Sequence, residues 1–169
     1  MKKRKTRNLP VVGWREWLSL ADLGIARIKA KVDTGARTSA LHAFDMETFE
    51  VEGAVWVRFR VHPIQRDPGT IVEAAAPLID QRWVRSSSGR STLRPVIRTE
   101  VVLGEKRWPI VLTLVRRDLM GFRMLLGREA VRHRFLVDPG RSFLAGAALP
   151  RQRPAPTAGS DPMAETIRI

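Results

Sequence analysis

The sequence contains no cysteine, which excludes both a disulfide framework and a metal site built on thiolates. It also lacks any apolar run of membrane-spanning length. The stretch of residues 9–12 is too short for the apolar region of a signal peptide, because Gly13, Trp14 and Arg15 interrupt it. We therefore expect a soluble, cytoplasmic protein with no membrane partner.

Acidic side chains are scarce: 17 Asp and Glu stand against 30 Lys and Arg, and the formal net charge is +13. Five of the basic residues fall in the run 2–7, and the body of the chain keeps a basic excess. Such a surface attracts acidic peptides or nucleic acid through salt-sensitive, long-range steering.

The chain of 169 residues has the size of one domain, and its hydrophobic content of 44% is typical of a globular protein. Residues 1–10 form a basic arm that we expect to be flexible. Residues 146–169 are rich in Pro, Ala, Ser and Gly and predict a disordered tail. The folded domain is therefore predicted to span residues 11–145.

Signatures of metal and nucleotide sites are missing as well. The sequence has no H-E-x-x-H and no G-x-x-x-x-G-K-[ST], and its histidines are His42, His62 and His133. We predict no metal and no cofactor. A metallohydrolase that uses these histidines with Asp33 is the weakest alternative.

The most informative stretch covers residues 28–42. Apolar Ile28, Ala30 and Val32 alternate with charged neighbours, which predicts a half-buried strand, and the alternation stops at Asp33 in the run D-T-G-A-R-T-S. A strand that ends in a turn holds its last side chain on rigid backbone, as a catalytic carboxylate requires. The simpler interpretation is that Asp33 caps the turn and Gly35 supplies a positive φ.

A second stretch, M-L-L-G-R at residues 124–128, favours the catalytic interpretation. A D-T-G-A loop followed by an apolar-apolar-Gly-Arg segment resembles the retropepsin-like aspartic proteases. The runs DTGARTSALHA, RWVRSSSG with RPVI, and RRDLMGFRMLLGREAV are similar, more closely, to the bacterial family known as ATP-dependent zinc proteases. The resemblance covers residues 11–144.

The resemblance implies an all-β, retropepsin-like closed barrel of orthogonally packed antiparallel sheets with one short C-terminal helix, predicted at residues 128–134. Two extended arms around a small tip predict a hairpin at residues 82–97. By its place in the resemblance this hairpin is the flap that closes over a substrate. Its tip, with the neighbouring loop, supplies the predicted substrate-binding residues: Arg37, Ser39, Ser86, Ser87, Ser88 and Gly89.

The D-T-G motif occurs once, and this decides the architecture of any enzyme. Aspartic proteolysis needs two carboxylates that share a proton, because two like charges at close range cannot both stay ionised. The chain must therefore form a homodimer in which two Asp33 residues meet across a two-fold axis. The resemblance assigns catalytic positions to Asp33, Thr34 and Gly35, with Thr34 bonding across the axis and the backbone of Gly35 beside the substrate.

Supporting roles fall to Leu125, Leu126, Gly127 and Arg128, of which the first three would serve equally well as core residues. In viral members an acid four positions after the catalytic Asp pairs with the arginine of the supporting segment. Here that position is Arg37, and two cations cannot form this pair. Either Arg128 finds another carboxylate or the dimer contacts differ from the viral ones.

The leading hypothesis is thus an aspartic endopeptidase that hydrolyses peptide bonds with a water activated between two Asp33 carboxylates. The competing one is a non-catalytic binding module that holds acidic peptides or nucleic acid in the same cleft. Neither zinc nor ATP in the family's usual name has a counterpart among the residues. Some relatives lie beside ATP-grasp ligases that append amino acids to carboxylates, which suggests a functional link to such a ligase and an acidic or glutamylated substrate.

Overall fold

The computed structural model describes residues 8–86, 88–116 and 121–145. These residues form twelve strands, one 3₁₀ helix (Ala21–Leu23) and one short α-helix, α1 (Arg128–Val131). The strands are β1 (Val11–Gly13), β2 (Arg15–Leu20), β3 (Ile25–Asp33), β4 (Ser39–His42), β5 (Phe44–Val51), β6 (Ala54–Val61), β7 (Val72–Pro77), β8 (Asp80–Arg85), β9 (Ser91–Leu103), β10 (Lys106–Val115), β11 (Met124–Gly127) and β12 (Leu136–Asp138).

Six strands close into a barrel in the order β10-β4-β11-β3-β2-β9, because β9 pairs back onto β10. Strand β8 extends this sheet as the second arm of a hairpin with β9. The pairs β4–β10 and β3–β11 are parallel and the other barrel pairs antiparallel, so the barrel is mixed. The expected all-β, retropepsin-like closed barrel with one short helix is confirmed, although its sheets are not wholly antiparallel.

Alternating apolar residues fill the barrel interior, as the sequence predicts both for residues 28–32 and for the run Ile110, Leu112 and Leu114, which face one way in a strand. In β3, Ile28 and Ala30 have no exposed surface, and in β10 the same is true of Leu112 and Leu114. Burying a side chain of the size of Ile or Leu contributes about 1.5–3 kcal/mol. Because β3 lies between β2 and β11, its far end is held on both sides.

A separate sheet of β5, β6 and β7 packs on the barrel through its apolar face. Val57 and Phe59 are fully buried, whereas Arg58 and Arg60 point to solvent, as the alternation in this segment predicts. Glu52-Gly53 separates two stretches that the sequence predicts as strands, and the β5–β6 turn falls there, with a positive φ at both residues.

Two boundaries differ from the sequence prediction. The helix predicted for residues 128–134 ends at Val131, because the chain turns back through His133, whose φ is +66°. The largely apolar run of residues 120–126 predicts a strand, but β11 begins only at Met124, and residues 117–120 lie outside the described ranges.

The predicted basic arm and disordered tail fall largely on residues 1–7 and 146–169, which also lie outside the described ranges. Pro10, at the end of the predicted arm, accepts a hydrogen bond from the amide of Leu136. Across residues 8–86, 88–116 and 121–145, no helix is long and apolar enough to cross a membrane.

Candidate active site

Asp33 is the last residue of β3, so its side chain extends from a strand that is paired on both sides in the barrel. The carboxylate is half-buried, and its Oδ1 accepts hydrogen bonds from the amides of Gly35 and Ala36, each at 3.0 Å. Oδ2 has no hydrogen-bond donor among the described residues. One oxygen is therefore fixed by the loop's own backbone, and the other is available to a reacting group.

The turn cap predicted for Asp33 is thus confirmed, but the positive φ predicted for Gly35 is wrong. Among glycines, positive φ values occur at Gly24, Gly53, Gly89 and Gly104 in the described part of the chain. The hydrogen bonds from the amides of Gly35 and Ala36 to Asp33 close the turn without a positive φ at Gly35. Thr34 and Gly35 are exposed at the tip of this loop.

Strand β11 supports the loop from beneath. Gly127 is paired with Asp33 in the parallel β3–β11 ladder, and a Cβ atom at Gly127 would lie 2.5 Å from the carbonyl carbon of Thr38. The amide of Gly127 donates to Oγ of Ser39 at 3.0 Å. Only glycine permits this close approach of two backbones.

The predicted supporting residues therefore lie against the Asp33 loop, with Leu126 fully buried beside Val32 and Leu125 half-buried. Ser39, which we predicted to bind substrate, is only 2% exposed, and its hydroxyl is engaged by Gly127. In the structure, Ser39 therefore links the Asp33 loop to β11 through its hydroxyl and does not face a substrate.

The conflict between Arg37 and Arg128 is resolved within the chain. Nη1 of Arg128 donates to the carbonyl oxygen of Thr34 at 3.3 Å, and its amide donates to the carbonyl oxygen of Ala36 at 2.7 Å. Arg37 instead pairs with Glu129, Nε to Oε1, at 2.8 Å. The carboxylate of Glu129 therefore pairs with Arg37, whereas the side chain of Arg128 binds the loop through the carbonyl oxygen of Thr34.

Glu129 is a residue that the motif comparison missed. The sequence feature that could have revealed Glu129 is the cation at position 37, because an arginine beside Arg128 requires an acidic partner near the supporting segment. The hydrogen bond from Arg37 lowers the pKa of Glu129, and the charges of Arg37, Arg132 and Arg82 act in the same direction against partial desolvation. Since Arg82 belongs to β8, this arm of the hairpin lies within electrostatic range of α1.

The hairpin predicted at residues 82–97 is confirmed as β8 and β9, with Arg85 opposite Ser91. Its tip is closed by bonds from the amide of Ser86 to the carbonyl of Arg90 and from the amide of Gly89 to the carbonyl of Ser86. The hydroxyls of Ser86 and Ser88 are 2.8 Å apart, and Ser87 lies outside the described residues.

Trp83 of this hairpin is 72% exposed and lies opposite Leu93, which is 47% exposed. No hydrogen bond between described residues joins the tip to the Asp33 loop. The role of the hairpin as a flap stays a prediction.

The three histidines fall in different surroundings. His42 is buried in β4, the ring of His62 stacks on Phe44 at 4.6 Å between centroids, and His133 is exposed. No group of three or more metal-ligating side chains is found among residues 8–86, 88–116 and 121–145.

A closed mixed barrel whose central strand ends in a D-T-G loop, braced by a Leu-Leu-Gly-Arg strand, defines a retropepsin-like domain. The sequence model of the RimB-like family, described as the retropepsin-like aspartic endopeptidase RimB, matches residues 11–148. The chain belongs to this family. The predicted retropepsin-like class is therefore confirmed.

The curated relatives carry another name. Proteins named probable alpha-L-glutamate ligase are 52% identical in Parasynechococcus marenigrum, 51% in Desulfotalea psychrophila and 46% in Shewanella pealeana, each over 136 residues or 80% of this chain. The match spans only 29–30% of the length of these relatives. None of the three is named a zinc protease, so that part of the resemblance finds no support in them.

Among solved structures, a protein of unknown function from Legionella pneumophila is similar to this chain with a TM-score of 0.69 and 26% sequence identity. The similarity covers 80% of this chain and 98% of the Legionella chain. The two chains therefore share their fold over almost the whole length of the solved Legionella chain.

Proposed function

We propose that the protein is an aspartic endopeptidase that acts as a homodimer. The observation that carries this proposal is the state of Asp33: one carboxylate oxygen is fixed by two backbone amides, and the other has no donor among the described residues. A purely structural turn cap would need no brace as tight as that of Gly127 against Thr38.

In this mechanism the two Asp33 carboxylates share one proton. The ionised Asp33 takes a proton from water as the water oxygen attacks the scissile carbonyl carbon, and the protonated Asp33 donates to the carbonyl oxygen. Collapse of the tetrahedral intermediate breaks the C–N bond: one Asp33 carboxyl group gives its proton to the amine nitrogen, and the other Asp33 carboxylate takes a proton from a hydroxyl of the intermediate. The pair ends with one shared proton, as it began.

The exposure of the loop supports the dimer. Thr34 and Gly35 are exposed, so a second copy has access to them. Arg128 holds the carbonyl of Thr34, and the Thr34 hydroxyl has no hydrogen bond within the described part of the chain. That hydroxyl is therefore suited to bond across a two-fold axis.

Charge around the loop favours an acidic peptide or protein as substrate. The side chain of Arg37 is 77% exposed, and Arg82 and Arg132 lie within electrostatic range of its partner Glu129. The relatives' name, alpha-L-glutamate ligase, points to glutamate-bearing chains. We infer a functional link to an ATP-grasp ligase, with this protein cleaving glutamate-bearing segments.

The hairpin tip, with half-buried Ser86 and exposed Ser88 and Gly89, would contact this substrate through backbone groups, with Trp83 and Leu93 covering it. The tip is small enough to move, as a flap must.

The test is cleavage of an unbiased peptide library by the native protein and by Asp33→Asn. Because asparagine keeps an oxygen for the amides of Gly35 and Ala36, the fold should survive while cleavage falls to background. Asp67→Asn is the matched control, because Oδ1 of Asp67 accepts the same kind of bonds from Gly69 and Thr70 in another loop. Full cleavage by Asp33→Asn, or none by the native protein at any pH, would instead favour a binding module.

A further inference from the structure

An open pocket of about 660 Å³ lies outside the barrel, away from the catalytic loop. It is formed by β2, β3, the segment before β11 and the loop after β6. The side chains that matter are four cations and two aromatic rings: Arg15, Lys29, Arg66, Arg123, Trp14 and Phe122. We call it the basic pocket.

Aromatic rings lie beside two of the four cations of the basic pocket, Arg15 and Lys29. The guanidinium carbon of Arg15 lies 4.6 Å from the centroid of Trp14, and its Nε donates to Oγ of Ser142 at 3.0 Å. Nζ of Lys29 lies 5.9 Å from the centroid of Phe122, whose ring meets that of Trp14 edge to face at 5.8 Å. Cation–π contacts of this kind orient the cations and leave N–H groups free for an anion.

Among the residues that the structure describes, no carboxylate lines the basic pocket, and none of its four cations forms an ion pair. The neighbouring Glu16 points inward, is fully buried, and accepts bonds from the amides of Gly13, Leu144 and Ala145. Four like charges around a concave surface repel one another and raise the local concentration of anions. A ligand with several negative charges would relieve this repulsion.

The basic pocket is distinct from the catalytic loop. Lys29 precedes Asp33 by four residues on β3, and Arg123 precedes Gly127, the partner of Asp33, by four residues. At about 3.3 Å per residue the pocket lies about 13 Å along the sheet from the carboxylate. An extended peptide of a few residues can span this distance.

We propose that the basic pocket is a second binding site, which holds clustered carboxylates of an acidic peptide segment outside the catalytic cleft. This proposal rests on the proposed peptidase function. Nucleic acid fits less well, because binding of single strands relies on free aromatic faces for base stacking, whereas here cations lie over the rings of Trp14 and Phe122. A guanidinium edge instead matches a carboxylate with two parallel hydrogen bonds.

The experiment is calorimetric titration of hexaglutamate into the Asp33→Asn protein, in which binding is measured without cleavage. We expect binding that weakens as salt rises, and a loss of at least tenfold in affinity in Lys29→Glu and, separately, in the exposed loop variant Arg66→Glu. Arg98→Glu is the matched control, because Arg98 is exposed on β9 outside the pocket and receives the same change of charge. Circular dichroism of each variant verifies that it is folded.

Equal affinity of all three charge-reversal variants would overturn the proposal. The proposal would also be overturned if oligothymidylate bound more tightly than hexaglutamate and Lys29→Glu and Arg66→Glu abolished the binding of oligothymidylate. The pocket would then be a nucleic-acid site. Both results are independent of peptidase activity, which the library assay on Asp33 tests alone.

Discussion

Asp33 and its neighbours show which parts of the site are local. The turn cap depends on residues two and three positions away, and the sequence pattern was sufficient to predict it. The partner of Arg37 is 92 residues away in the chain, so spacing alone could show that an acid was missing but not that it was Glu129. From the sequence, Ser39 was expected to bind substrate because it lies in the hydroxyl-containing run T-S of the D-T-G loop. Its burial follows from the packing of β11, whose Gly127 donates to the Ser39 hydroxyl, and the sequence does not show that packing.

The pair of Arg37 and Glu129 predicts a pH dependence at the scale of single residues. The hydrogen bond from Arg37 lowers the pKa of Glu129 below that of the unfolded chain. Its contribution to stability is therefore present above the unfolded pKa of about 4.3 and is lost as pH falls through the lower, folded value. Glu129→Gln should be slightly less stable than the native protein at pH 7 and equally stable well below pH 4.

Urea unfolding of both proteins across this pH range measures the effect. Because the pair is exposed, added salt should reduce the difference at pH 7. A stability difference that is the same at both ends of the pH range would show that Glu129 acts through packing and not through its charge.

At the scale of elements, the contact between β11 and the loop before β4 is the tightest point of the site. A Cβ atom at Gly127 would lie 2.5 Å from the carbonyl carbon of Thr38 and 2.8 Å from the amide nitrogen of Ser39. We expect Gly127→Ala to cost about 1–3 kcal/mol of stability, because backbone must move to admit the methyl group. Cleavage should fall as well, since the displaced strand is paired with Asp33.

Gly121→Ala is the control for this prediction, because nothing lies within 4 Å of a Cβ built at Gly121. Its free energy of unfolding should be unchanged or rise by less than about 1 kcal/mol. Chemical denaturation of the two variants makes the comparison, and a Gly127→Ala protein as stable as Gly121→Ala would contradict the close packing.

Elements with a regular period were predictable, and their ends were not. The alternation in β3, β6 and β10 gave the buried faces correctly, because a strand with one buried face leaves a period of two. The sequence pattern favours one strand over residues 90–97 and another over residues 98–103, whereas β9 runs without a break from Ser91 to Leu103. Its length comes from three different partners, β8, β2 and β10, which local propensity does not reveal.

At the scale of the whole molecule, the sequence alone gives the net charge but does not show where the charged side chains cluster on the folded surface. The basic pocket joins residues from positions 14 to 123, which only the closure of the barrel brings together. The contact between the D-T-G motif at Asp33 and the segment at Gly127 was predictable, because the topology of the family that the sequence resembles places these two motifs side by side. The mixed strand directions arise where β4 and β11 enter the barrel beside β10 and β3.

The central claim is that two copies of Asp33 act on one substrate, and subunit mixing tests it most directly. Native and Asp33→Asn chains would be co-expressed in equal amounts with different tags, and the mass and cleavage rate of the assembled protein measured. If both carboxylates are required, random pairing leaves about a quarter of the dimers active, so activity falls to about a quarter of the all-native value. A monomeric mass, or activity that falls only to half because each native chain works alone, would contradict the shared-proton mechanism.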